Sequence, residues 1–235
     1  MSSEQSVRVN FGKPMPIFPL NTAVLMPQQV IPLHIFEPRY TQMVGDALDS
    51  VGQIAIAIFE GDAWKSNYQG RPPVRPAVCI GQIVQHELRP GGTYDILIQG
   101  VCRARIRREL PPETDILYRR VMLEPTEDFK PDEQQLEPVR DWIAGELSSG
   151  ELARFETADD LLGYIRDERI PTSALLELIS FTILDDSELK YSLLEEPNPA
   201  ARAGLIQNEL QRTTRLLRLT HHQHPESWPK GCSWN

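Results

Sequence analysis

The sequence predicts an α+β fold: a small N-terminal β-barrel or sandwich subdomain with one inserted helix, followed by a C-terminal helical bundle. Two observations carry this expectation. Up to about Pro125, short β-branched runs are separated by Pro and Gly, as in a series of short strands. After Pro125 the apolar residues recur at a helical period as far as about Leu219. A block of strands followed by a block of helices is the α+β pattern. The expected division is 14–125 for the β-rich part and 126–220 for the helical part, with 1–13 and 221–235 as flexible tails.

The expected strands are Met15 to Leu20, Gln53 to Phe59, Cys79 to Leu88, Thr93 to Gln99, Arg103 to Glu109 and Arg119 to Pro125. Arg89-Pro90-Gly91-Gly92 supplies the left-handed backbone that a tight hairpin turn requires. The inserted helix starts at Pro38 and places Tyr40, Met43, Val44, Ala47 and Leu48 on one apolar face, leaving Arg39, Gln42 and Asp46 solvated opposite. In the helical part, Leu136, Val139, Trp142, Ile143 and Leu147 form one stripe. Leu161, Leu162 and Ile165 form a second, opened by Thr157-Ala158-Asp159-Asp160, which resembles a capping box with Asp in place of Glu. A third holds Leu175, Leu176, Leu178, Ile179 and Ile183, starting at Pro171-Thr172. Leu189, Leu193 and Leu194 precede Pro197-Asn198-Pro199, which ends their helix, and a last helix from about Pro199 buries Leu205, Ile206, Leu210 and Leu217.

Charge and motif narrow the function. A formal charge of -9 works against binding a phosphate backbone, so nucleic acid is not an expected partner. No apolar run reaches the roughly 18 to 20 residues that span a bilayer, and the N-terminus lacks a secretory signal. Neither a membrane association nor a compartment outside the cytoplasm is therefore expected. Cys79, Cys102 and Cys232 are scattered and odd in number, which agrees with a reducing compartment.

Gly12-Lys13 is followed by Pro14 and so cannot form a phosphate-cradling loop, and no G-x-S-x-G is present. Cys79, His86 and Asp95 could be drawn as nucleophile, base and orienter, but Cys79 sits in an apolar run typical of a buried thiol. His221, His222, His224 and Cys232 lack the paired short spacings of structural zinc sites. No metal, cofactor or catalytic residue is expected. Arg103, Arg105 and Arg107 alternate along one strand; the preferred reading is the wet side of a sheet whose other side holds Cys102, Ala104 and Ile106. Arg103, Arg105 and Arg119 are the alternative, as an anion site in a cleft between the subdomains, which would make the protein a small-molecule or anion-responsive regulator.

One segment carries a family signature. Ile17-Phe18-Pro19-Leu20, Val24-Leu25-Met26-Pro27 and Ile31-Pro32-Leu33-His34-Ile35-Phe36-Glu37-Pro38-Arg39-Tyr40 resemble the opening of the Lon N-terminal (LON) domain. The resemblance continues at Ile80 to Ile83, Tyr94 to Arg103 and Tyr118 to Val121, and in the closing helices, over roughly residues 14 to 219. Within the motif, Pro32 and Pro38 fix φ, Leu33, Ile35 and Phe36 are expected in the core, and Glu37 can pair with Arg39.

In Lon proteases this domain precedes an ATPase and a Ser-Lys peptidase, and helps capture substrates. Neither a Walker motif nor a peptidase segment occurs here, so the resemblance implies a stand-alone, non-catalytic member. Its expected partners are other polypeptides, either unfolded substrates or one dedicated protein, with a separate Lon-type ATPase as a further partner. Three contact surfaces are candidates: the loop from Glu60 to Pro76 with Trp64, Tyr68 and Arg71, where Trp64 could equally be a lid on the core; the wet helix face with Glu37, Arg39 and Gln42; and the groove between the two halves.

Overall fold

The computed structural model describes residues 7–21, 23–126 and 132–222, without the side chains of 220–222. It contains six strands: β1 (Met15–Leu20), β2 (Val30–Ile35), β3 (Gln53–Ile58), β4 (Ala77–Leu88), β5 (Tyr94–Glu109) and β6 (Arg119–Pro125). The helices are α1 (Pro38–Leu48), a one-turn α2 (Ala63–Ser66), α3 (Glu133–Ser149), α4 (Ala158–Arg166), α5 (Thr172–Thr182), α6 (Ser187–Glu195) and α7 (Pro199–His222), with a 3₁₀ turn at Glu151–Arg154. The class is α+β, as predicted. The chain divides into two compact units: Met1–Lys130 with Glu177–Pro197, and Pro131–Leu176 with Asn198–Asn235.

In the first unit the strand order is β2-β5-β4-β3-β1-β6, and β5 also pairs with β6. The ladder from β4 through β3, β1 and β6 therefore returns to β5, while β2 lies outside this ring on the first half of β5. β1 and β3 run parallel, joined through β2 and α1, and the other pairs are antiparallel.

The ring depends on the length of β5. Tyr94 to Gln99 pair with β2, whereas Ala104 to Glu109 pair with β6. The sequence predicts two strands here, Thr93 to Gln99 and Arg103 to Glu109, with Gly100 left between them. The glycine is needed instead for close approach: a Cβ at Gly100 would overlap the Met26 carbonyl, and the Gly100 N–H donates to the Gln29 carbonyl at 2.8 Å. The hairpin between β4 and β5 turns through Gly91 and Gly92 at φ 95° and 80°, as expected.

β2 is absent from the predicted strands, and it contains Pro32. On an edge strand the missing N–H costs no ladder bond, so Pro is tolerated there. Phe36, expected in the core, is 63% exposed, while Ile35 beside it is buried. Alternation along an extended chain sends neighbours to opposite faces, so the two cannot share a core.

The core of the ring is built from Ile17, Ala55, Ala57, Val78, Ile80, Ala104 and Val121. Small residues at three of these positions suit the narrow interior of a closed sheet. Every residue of β3 is buried, and α1 packs against β1 and β3. Tyr40, Met43, Val44 and Ala47 form the buried face of α1, as its periodicity predicts. On its other face Asp46 is exposed as expected, whereas Arg39 and Gln42 are half-buried by the loops described below.

Residues 177–197, expected in the helical part, group with the strands. Two polar anchors account for this. Arg103 is 2% exposed, donating from Nε to the Leu193 carbonyl at 3.0 Å and from both terminal nitrogens to Glu177 at 2.8 Å each. This corrects its placement on the wet face with Arg105 and Arg107; strand alternation says nothing about which residues a later helix will cover. The second anchor is Tyr191, whose buried hydroxyl accepts from the Ala77 N–H at 2.9 Å.

In the second unit α3, α4, α7 and the 3₁₀ turn bury Leu136, Ile143, Leu147, Leu152, Leu161, Ile165, Ile206 and Leu210. Arg140 donates to the carbonyls of Ile165, Asp167 and Ile170, satisfying acceptors that the end of α4 leaves open. The predicted capping box is not formed. Thr157 occupies the N-cap of α4 with ψ 1°, away from the extended geometry that would aim its hydroxyl at the first turn, and makes no cap bond.

Removing one member of a buried ion pair leaves the other charged and unsolvated, at a cost of roughly 3–5 kcal/mol. Glu177→Ala should lower unfolding stability by about that amount in urea denaturation. A loss under about 1 kcal/mol would show that Arg103 finds other acceptors or water.

Candidate functional site

The loop from Glu60 to Pro76 leaves β3 and returns to β4 through a bridge between Phe59 and Val74. Its one-turn helix carries Trp64, whose indole stacks on buried Phe59 with centroids 5.7 Å apart and planes at 13°. Tyr68 approaches the same Phe59 ring edge-on at 6.1 Å.

Arginines fasten this loop. The Arg39 guanidinium lies 4.5 Å from the Tyr40 ring centroid and 4.8 Å from that of Tyr68. It donates to Glu37 Oε2 at 3.1 Å and to the Tyr68 carbonyl at 3.3 Å, while the Tyr68 hydroxyl donates to Glu37 Oε1 at 2.7 Å. Farther along, Arg71 donates to Glu109 and to the Leu110 carbonyl. Arg119 grips Glu109 at 2.8 and 2.7 Å and the Pro72 carbonyl at 2.8 Å. Gln42 serves a second loop, donating to the Asp115 carbonyl at 2.7 Å and accepting from the Leu117 N–H at 2.8 Å. Tyr118 donates to Asp46 at 2.9 Å.

These contacts set the electrostatics. Burial raises the Tyr68 phenol above its ordinary range, and its bond to Glu37 adds to the effect. Burial and the Asp46 bond push Tyr118 up to about 12. Partial burial opposes ionisation of Glu109, but the bonds from Arg119 and Arg71 outweigh it and hold the carboxyl below the usual range.

The structure thus unites Glu37, Arg39 and Tyr68 in one network and joins Arg71 to Arg119 through Glu109. Gln42 stands apart with the 115–117 loop. Of the six expected contact residues, Trp64 lines an open concavity of about 590 Å³, with Phe59, Glu60, Asp62, Arg75 and Glu188. Arg75 donates to both Glu188 oxygens at 2.9 and 2.8 Å, with its guanidinium 3.4 Å from the Tyr191 ring centroid. Glu188 was not among the expected residues, since its only sequence signal is the Asp186 cap that starts α6. Nothing in the chain order links it to Trp64.

The three arginines of the anion alternative do not converge on an open site. Arg103 holds Glu177, Arg105 lies 3.6 Å from Glu195, and Arg119 is committed to Glu109. Burial raises the Cys79 thiol far above its ordinary range, which removes its nucleophilic form at neutral pH. Asp95 faces His34 and Arg89 instead. Among the described residues no group of three His, Cys, Asp or Glu side chains could hold a metal ion, and no helix is long and apolar enough to cross a membrane. The side chains of His221, His222, His224 and Cys232 lie outside the described residues.

Comparison with known proteins gives a consistent match. The profile of the ATP-dependent protease La (LON) substrate-binding domain matches residues 14–212. Lon protease of Desulfovibrio desulfuricans is 25% identical over 201 residues, which cover 84% of this chain and 22% of that protein. Lon protease 1 of Syntrophobacter fumaroxidans is 27% identical over 137 residues, 58% of this chain and 16% of that protein. The chain therefore spans a minor part of these relatives. Among solved structures, the N-terminal domain of the Mycobacterium avium complex Lon protease superposes with a TM-score of 0.63 at 18% identity, covering 83% of this chain and 97% of that one. A Lon N-terminal domain protein from Xanthomonas campestris gives 0.56 at 19% identity, covering 81% and 94%. These two likenesses establish the fold.

The Glu109 clamp has a pH signature. Its carboxyl ionises at lower pH folded than unfolded, so its stabilisation is complete above the ordinary carboxylate value near 4.3 and is lost as pH falls through the lower folded value. Melting curves from about pH 6 to about pH 3 should show a falling midpoint, and Glu109→Gln should flatten part of that slope. Parallel slopes in the two proteins would assign the acid sensitivity elsewhere.

Proposed function

Because the chain belongs to the LON substrate-binding domain family, we propose that it is a non-catalytic polypeptide-binding module, which holds exposed segments of unfolded chains or of a dedicated protein partner. The observation that carries the site is Trp64: a partly exposed indole, stacked on Phe59, at the edge of an open concavity. Trp supplies large contact area with few rotatable bonds, and indoles in such settings often dominate binding energy. The arginine clamps behind the loop restrict its motion before any partner arrives. Less ordering entropy is then lost on binding, and more of the contact energy is retained as affinity.

The regulator reading has less support, because Arg103, Arg105 and Arg119 face three different carboxylates, Glu177, Glu195 and Glu109, and do not converge on one site.

The test is equilibrium binding of a reduced, carboxymethylated protein that cannot refold, compared between wild type and Trp64→Ala. Wild type should bind, and the variant should bind at least about tenfold more weakly with its circular dichroism unchanged. Absence of binding by wild type would refute the module. Equal binding by both would move the site away from Trp64.

A further inference from the structure

The three strands β2, β5 and β4 extend beyond the closed ring, and one face of this extension is a groove of about 490 Å³. Its lining follows from register. Pro32 pairs with Leu97, and Leu97 with Gln85; His34 pairs with Asp95, and Asp95 with Glu87. Residues in register share a face, so the groove carries two cross-strand rows, one mainly apolar and one charged, about 7 Å apart. Val30 and Phe36 continue the same face of β2 by alternation and are 48% and 63% exposed. The Phe36 ring stacks on His34 at 5.9 Å.

The charged row is biased to the negative. Asp95 lies 2.6 Å from His34 Nδ1 and accepts from Arg89 Nε at 2.6 Å, while the other end of that guanidinium is 3.0 Å from Glu87. Two carboxylates thus share one guanidinium. The hydrogen bonds from His34 and Arg89 hold the Asp95 carboxyl below its ordinary range, so it stays ionised. Pro32 removes one N–H from the edge strand, which weakens any partner that would extend the sheet by ladder pairing. Docking on the face avoids that loss.

We infer that this groove binds an extended polypeptide segment with an apolar side chain over Pro32 and Leu97 and a Lys or Arg two residues away against Glu87 and Asp95. Alternate residues of an extended chain are spaced about 7 Å apart, which matches the two rows. Charge complementarity selects this occupant, because Glu87 and Asp95 share the one Arg89 guanidinium and leave a negative charge in the row for a Lys or Arg to balance. The inference rests on the polypeptide-binding reading but not on the Trp64 concavity.

The test uses a short fluorescent Thr/Val-rich peptide carrying Leu and Lys at positions i and i+2, and a matched probe with Glu in place of Lys. Wild type should prefer the Lys probe by roughly tenfold at low salt. Glu87 is largely exposed, so Glu87→Lys should keep the fold, checked by circular dichroism, and should shift the preference toward the Glu probe. Equal affinity for the two probes, an unchanged preference in Glu87→Lys, or no binding of either probe would each overturn the groove. Wild-type binding of the carboxymethylated chain, measured alongside, separates the outcomes: if it persists while the probes fail, the module stands and the groove is wrong.

Discussion

A guanidinium withdrawn from water must be surrounded by acceptors, and at Arg103 those acceptors come from Glu177 and the Leu193 carbonyl. Desolvating an ion is expensive, so the ring of strands gains little by burying Arg103 unless both acceptors are delivered in place. That requirement fixes residues 177–197 against β4 and β5. Once α6 is there, Tyr191 meets the Ala77 N–H and Glu188 meets Arg75, and one wall of the Trp64 concavity is complete. The proposed contact surface is in this sense a by-product of satisfying a single buried charge.

Arginine–carboxylate contacts recur at each place where a loop must be held. Arg39 with Glu37 secures the Tyr68 stretch, and Arg71 and Arg119 share Glu109 below Pro72. Such pairs near the surface contribute modestly to global stability. Their effect is local: they reduce the number of conformations open to a loop of seventeen residues that has only one helical turn of its own. The motif that identifies the family therefore works chiefly as a brace. Glu37 and Arg39 face inward on Tyr40 and Tyr68, and half-buried Trp64 and exposed Phe36 are carried beside them.

The sequence reading was strongest where local chemistry decides the structure. The apolar face of α1, the Gly91-Gly92 turn and the bounds of β1 and β6 follow from periodicity and turn residues, and all appear in the structure. It failed where distant segments decide. The strand at Pro32 and the continuity of β5 through Gly100 were missed, because one lies on a sheet edge and the other fits beneath the Met26 carbonyl. Arg103 looked like one of three surface arginines because its cover arrives some ninety residues later. Of the candidate site, Trp64 was legible as an aromatic in a long loop, but Glu188 and the rows of the β2–β5–β4 groove depend on register and on packing that no local pattern encodes.

The same long-range closure sets an order on the making of the protein. β1 must wait for β6 to complete the ring, and Arg103 must wait for Leu193 to emerge. At synthesis rates of about 5–20 residues per second, the strand carrying that cation exists for roughly 5 to 20 s before the Leu193 carbonyl has been made. During this interval the Arg103 guanidinium keeps its hydration, and closing the strands around it would give up that water with no acceptor from α6 to replace it. Burial of Arg103 thus belongs after α5 and α6 have been made, since Glu177 and Leu193 come from them.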